Sequence, residues 1–286
     1  MIYISSACVK TRSIKESVEV LANAGFRNIE LSGGTKFYTD YEKDLLFLQD
    51  KYSLNYQLHN YFPPPQSPFV LNLASLDDKI YKQSIDLCKN AIRLSKILSG
   101  TRYGIHAGFL IDINPNEAGK KIAHRNLSNR KKALSRFSKG WEIIRDEAGD
   151  DIKLYVENNV FSKTNSKTYL KENPFLLTSY SGYLELKEYV NFNLLLDVAH
   201  LKVSVQTLNL DFDNELEKLL PLTEYIHLSD NDGLHDQNKA FEKSSEMLND
   251  LKKYDLSKRI FTLETYSSLE AIKDNSNMVY SIMSNN

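Results

Sequence analysis

The chain has 286 residues, 42% hydrophobic and 26% charged, with a formal net charge of −1 at pH 7. That length can bury a full core, and the composition excludes a disordered or fibrous chain. The charge balance provides no global basic field to gather nucleic acid.

The elements alternate in chain order. Ile2–Cys8 reads as a strand. Ser13 reads as an N-cap with Glu16 completing a capping box, and the helix runs through Val18 and Leu21 to Gly25. Asn28–Leu31 is a second strand and Tyr41–Tyr52 a second helix. A third strand, Tyr56–His59, precedes a long loop holding Tyr61, Phe62 and three prolines. The helix Lys79–Leu98 follows, with apolar residues near helical spacing. Tyr103–His106 is a strand, Asn129–Glu147 a helix, Lys153–Glu157 a strand and Tyr183–Val190 a short helix. Leu194–Asp197, Tyr225–Leu228 and Ile260–Glu264 are the last three strands. Asp213–Leu220, Phe241–Tyr254 and Leu269–Met283 are the last helices.

Strand and helix alternate without a linker or a low-complexity break, which predicts a parallel sheet with helices outside. Eight such units fit an α/β fold of one closed (β/α)8 barrel spanning 1–286, with an open doubly wound sheet as the rival. Strands three to eight each end in an ionisable group: His59, His106, Glu157, Asp197, His227 and Glu264. Strands lie about 4.8 Å apart, so a flat row of six would scatter these groups over more than ~20 Å. Closure brings them to one mouth. Singly, each is ordinarily a salt-bridged carboxylate or a hydrogen-bonded imidazole. Together, in strands that are otherwise apolar, they share a cause: unpartnered, each would cost several kcal/mol to bury, on the order expected for polar groups.

Glu157, Asp197, His227 and Glu264 offer three carboxylates and an imidazole, which suit one Mn²⁺, Zn²⁺ or Mg²⁺ better than a structural zinc site would. His59 and His106 could bind a second metal with Glu157 bridging, or hydrogen-bond a substrate hydroxyl. His200, three residues after Asp197, could orient substrate or serve a further metal. The loop after strand seven, in EYIHLSDNDGLHDQ, adds Asp230, Asp232 and His235 to that second set, and Asp236 follows in the same exit cluster. Ser32-Gly33-Gly34 could present backbone N–H groups to an anion, with Lys10, Arg12 and Lys36 nearby, although a solvated turn is the simpler reading. The basic run His124–Arg136 reads as a solvated helix face.

Cys8 and Cys88 read as buried free thiols in a reducing compartment. The N-terminus MIYISSACV lacks a signal-peptide pattern, and no apolar stretch approaches membrane-spanning length. These features predict a cytoplasmic protein without membrane attachment.

The segments QLHNYFPPP, YGIHAGF, YVENN, LLLDVAH, YIHLSDNDGLHD and TLETY resemble the xylose isomerase-like barrel superfamily. That group includes sugar isomerases, ketose 3-epimerases and endonuclease IV. The resemblance is nearest to the sugar phosphate isomerase/epimerase-like members. It implies Glu157, Asp197, His227 and Glu264 as metal ligands, with Glu157 and Glu264 as the proton-transfer pair. It places His59 and His106 where endonuclease IV holds a further zinc, and His200 at its third-zinc histidine. The Asp236-x-Asn238 pair departs from the nuclease pattern, which has His at the second position. The expectation is a metal-dependent isomerase or epimerase of a sugar, sugar phosphate or related polyhydroxy carbonyl compound, working through an enediolate. An endonuclease IV-like phosphodiesterase acting on abasic DNA is the alternative, and a non-catalytic sugar-binding barrel is the third. A small sugar is the expected partner, nucleic acid is disfavoured, and a homo-oligomer is left open.

Overall fold

Eight short runs rich in Leu, Ile, Val and Tyr form the strands, and all pair in parallel, each with its sequence neighbours, until β8 closes on β1. The computed structural model describes residues 1–170 and 172–284. The strands are β1 (Ile2–Ser5), β2 (Asn28–Leu31), β3 (Asn55–His59), β4 (Arg102–His106), β5 (Lys153–Glu157), β6 (Asn193–Asp197), β7 (Thr223–Leu228) and β8 (Ile260–Leu263). The helices are α1 (Ile14–Asn23), α2 (Tyr41–Tyr52), α3 (Asp78–Ile97), α4 (Arg130–Ala148), α5 (Lys163–Thr168), α6 (Tyr180–Lys187), α7 (Val198–Leu208), α8 (Phe212–Leu219), α9 (Glu246–Leu251) and α10 (Leu269–Ser284). This is the closed (β/α)8 barrel, and the open sheet is excluded.

Local chemistry sets several boundaries. Ser13 caps α1 through the Glu16 N–H, and the Glu16 carboxylate accepts the Ser13 N–H in return, the expected capping box. The first strand is shorter than Ile2–Cys8: it stops at Ser5, whose hydroxyl accepts the Ala7 N–H and turns the chain into a 3-10 turn over Ser6–Cys8. The helix predicted over Phe241–Tyr254 contracts to α9, because Asn275 on α10 bonds both the N–H and the C=O of Phe241 and holds that stretch as a loop. Two helices were not anticipated. The polar run KTNSKT forms α5, capped by Ser162, and α7 starts directly after β6 with Asp197 as its N-cap.

Side chains alternate along a strand, so residues two apart share a face. Tyr155, Leu195 and Tyr225 pack together inside the barrel. Two residues further along the same strands stand Glu157, Asp197 and His227. Gln57 leads to His59, Gly104 to His106 and Thr262 to Glu264 by the same step. Barrel closure and period two therefore put every one of these ionisable groups at the C-terminal mouth. The outer core is apolar; Trp141 lies in it beside Phe137, its indole N–H donated to the Asn191 carbonyl at 3.1 Å. Both cysteines are free and buried. Among the described residues, no helix is long and apolar enough to cross a membrane.

Gly104 gives the mouth its room. A Cβ at this position would lie 2.9 Å from Leu195 Cδ2 and 3.2 Å from His59 Cδ2. Gly104→Ala is expected to destabilise the fold by about 1–3 kcal/mol, the usual range for overpacking a core. Urea unfolding measures this, and an unchanged midpoint would show that the mouth has slack.

Candidate active site

The mouth holds one connected set of ionisable side chains. Glu157 on β5 is at its centre, fully buried. Its Oε2 accepts from His59 Nε2 at 2.7 Å and lies 3.2 Å from His106 Nδ1. Its Oε1 lies 3.4 Å from His227 Nδ1 and 3.7 Å from His200 Nδ1. Glu264 Oε1 reaches within 3.8 Å of the same His227 nitrogen. Asp197 accepts the His200 N–H at 2.7 Å as the cap of α7, and its other oxygen lies 3.6 Å from His200 Nδ1. Asp236 Oδ2 is 3.5 Å from His200 Nε2.

Proximity here is not the same as satisfaction. Glu157 Oε1, His227 Nδ1, His106 Nδ1 and Asp236 Oδ1 are buried without a hydrogen-bond partner. Lone-pair donors that converge without sharing protons are what a cation would bind. Three donor groups with atoms within 4.8 Å of one another fit that role: Glu157, Asp197 and His227; His106, Glu157 and His200; and Glu30, His59, His227 and Glu264.

Electrostatics separates the two glutamates. Burial works against the charge of Glu157, but the neighbouring His106 and His59 overcome it and hold the carboxyl well below its usual range. Burial raises Glu264 to about 7, against the opposing pull of His227 and His59. Asp197 rises to about 6 mainly through burial. Burial disfavours the charged form of His227, yet Glu30 and Glu264 raise it well above the ordinary imidazole value. Burial lowers His106 to about 4.

Above the cluster is a cavity of about 720 Å³. The loops after β3, β4 and β5 supply its apolar walls, including Val70, Phe109, Ile122, Val160 and Phe175. Tyr61 lines it. Phe62 does not: it is fully buried in the outer core against Tyr41, so only one of the two aromatics of the long loop after β3 faces the cavity. Ser32, Gly33, Gly34 and Lys10 border the mouth, whereas Arg12 and Lys36 are not part of its lining.

The loop after β7 divides. Asp230 is committed elsewhere, to Lys202 at 2.9 Å and to Ser245 at 3.0 Å. Asp232 caps its own turn through the N–H groups of Leu234 and His235, and holds His235 Nδ1 at 3.0 Å. Neither joins the cluster, because each is closer to a partner in or beside its own loop. His235 lines the cavity from that tethered position, and Asp236 is the loop residue that reaches His200. The arginines of the basic run are likewise paired: Arg125 with Glu117, Arg130 with Glu185 and Arg136 with Asp78.

Glu30 was not anticipated. It lies near the end of β2, is fully buried and stands 3.1 Å from His227 Nε2. Its signal was present, since NIEL places one Glu between Ile29 and Leu31 much as YVE ends β5.

The family model of the xylose isomerase-like TIM barrel matches residues 18–282. No match is found among curated proteins. Among solved structures, a D-tagatose 3-epimerase-like protein superposes with a TM-score of 0.69 at 18% identity, covering 99% of this chain and 96% of that one. An L-ribulose 3-epimerase gives 0.63 at 15% identity, with 99% and 91% covered. Endonuclease IV from Thermus thermophilus gives 0.60 at 14% identity, with 99% and 98% covered. At such identities the likeness to these structures is one of fold. The family match spans most of the sequence, and the chain therefore belongs to the xylose isomerase-like TIM barrel family.

Proposed function

We propose that this chain is a metal-dependent isomerase or epimerase of a sugar, a sugar phosphate or a related polyhydroxy carbonyl compound, with Glu157 and Glu264 as its proton-transfer pair. One observation carries the reading. Two buried carboxylates flank His227 Nδ1 on the floor of one cavity, and their environments separate their proton affinities. Moving a proton off and onto carbon beside a carbonyl requires a base and an acid in reach of the same substrate, and paired groups with separated pKa values supply them. Glu157, held ionised, takes the proton beside the carbonyl. Glu264, kept proton-avid by burial, returns one. The apolar walls exclude competing water, and a cavity of 720 Å³ is within the size range of small-molecule sites.

The residues fit a divalent ion, because buried Glu157 Oε1 and His227 Nδ1 are without hydrogen-bond partners and Asp197 and Glu264 stand beside them. A carboxylate-rich set of this kind suits Mn²⁺, Mg²⁺ or Zn²⁺. When bound, the ion supplies Lewis-acid stabilisation of negative charge on substrate oxygens. His106, whose Nδ1 is buried without a partner, remains available for a substrate hydroxyl, whereas His59 Nε2 is held by Glu157.

A second reading, a phosphodiesterase using more than one ion, is supported by the grouping of His106, Glu157 and His200. The paired arginines of the basic run and Asn238 argue against it. Incision of an abasic-site duplex by the zinc-loaded protein would favour it over the isomerase reading.

Loading the site should release protons. Glu30 and Glu264 raise His227 above the ordinary imidazole range despite burial, burial raises Glu264 to about 7, and ligating atoms must be bare. Calorimetry with Mn²⁺ in two buffers of different ionisation enthalpy is expected to show net proton release on binding, with affinity rising from pH 6 to 8. A binding enthalpy independent of buffer would contradict the assignment of His227.

The proton-transfer pair is tested in deuterium oxide with a panel of ketoses and their phosphates. The native protein is expected to place solvent deuterium on the carbon beside the carbonyl. Glu157→Gln and Glu264→Gln should each lose at least about 10²-fold in that exchange, the usual scale for removing an acid–base group. Near-native turnover by Glu264→Gln would rule out its role.

A further inference from the structure

We infer that Glu30 is a positioning residue that fixes which nitrogen His227 presents to the divalent ion; the inference rests on the metal site proposed above. Glu30 extends from β2 into the barrel interior and accepts from His227 Nε2 at 3.1 Å. The same carboxylate oxygen accepts from Gln57 Nε2 at 3.2 Å, from Thr262 Oγ1 at 3.0 Å and from the Tyr225 hydroxyl. Four donors crowd that oxygen, more than its two lone pairs can accept at once, and they leave none for a cation. Glu30 lies near His59, His227 and Glu264, yet that oxygen is committed to the layer beneath the site.

His227 is the reverse case. Its Nε2 is tied to Glu30, with the Tyr225 hydroxyl 3.3 Å away, while its Nδ1 is buried without a partner beside Glu157 and Glu264. A carboxylate on one ring nitrogen holds the proton there and directs the other lone pair outward. The ring is fixed from below by groups on β2, β3, β7 and β8. Without the Glu30 anchor, nothing of comparable strength separates the two ring orientations, because the Tyr225 hydroxyl can accept or donate.

The test uses the full-length protein and Zn²⁺ alone, so it is independent of any sugar turnover. In the native protein labelled with ¹⁵N-histidine, long-range ¹H–¹⁵N spectra are expected to show His227 Nδ1 shifted by zinc and Nε2 protonated. Zinc on Nε2 would overturn the inference. Glu30→Gln, isosteric and still able to accept, is expected to weaken zinc binding by about 10- to 100-fold, the range for carboxylates behind a ligating His. The visible spectrum of its Co²⁺ form should keep the native ligand number. Unchanged zinc affinity would overturn the inference, and so would a lost ligand, which would make Glu30 a direct donor. If Glu30→Gln does not fold, the native nitrogen spectrum decides alone. A native protein that binds no zinc would sink the metal reading together with this one, whereas zinc bound through Nε2 sinks this one only.

Discussion

Burying a carboxylate is costly unless something shares its charge, and the mouth of this barrel buries Glu30, Glu157, Asp197 and Glu264 together. Three buried imidazoles, His59, His200 and His227, stand among them. Protons exchanged within the set satisfy part of it: His59 donates to Glu157, and His227 donates to Glu30. The remainder is left over beneath the cavity, where the buried Glu157 Oε1 and His227 Nδ1 find no partner. Each such group costs about 1–3 kcal/mol, or more for a charged atom. A divalent ion bound there would offset that cost. Stability and chemistry thus make the same demand at one point.

The rest of the barrel serves that point. Period-two alternation sorts each strand so that a packing residue lies below and an ionisable one above. Tyr155 precedes Glu157, Tyr225 precedes His227 and Thr262 precedes Glu264. The polar layer of Gln57, Tyr225, Thr262 and Glu30 sits between the apolar interior and the mouth and fixes the histidine above it. The loops after β3, β4 and β5 wall the cavity with apolar side chains; burial raises Glu264, while His106 and His59 hold the equally buried Glu157 low.

Most of this was legible before the structure, for physical reasons. An apolar run interrupted by a single His, Asp or Glu is an energetic anomaly, so LYVE, LLLD, YIHL and FTLE each pointed to the residue that the fold brings to the mouth. Glu30 escaped because β2 is only four residues and starts on Asn28, which makes a polar residue in it look ordinary. The helix α7 escaped because VAHLKVSV is apolar and β-branched and continues β6 without a loop; the signal for it was Asp197 as an N-cap, a second role for a residue already chosen as a ligand. The loop after β7 misled in the other direction. Spacing cannot tell a carboxylate that caps its own turn, such as Asp232, from one that reaches across the mouth, such as Asp236.

The central claim is that the mouth cluster holds a divalent ion. Elemental analysis of protein purified without chelator or affinity histidines tests it most directly. The account predicts about one Mn²⁺, Mg²⁺ or Zn²⁺ per chain, the stoichiometry of a single carboxylate-rich site. Two or three zinc ions per chain would contradict the single-ion isomerase or epimerase in favour of a multi-zinc phosphodiesterase. No bound metal, even after reconstitution, would contradict the account altogether and leave a barrel that binds its ligand without turning it over.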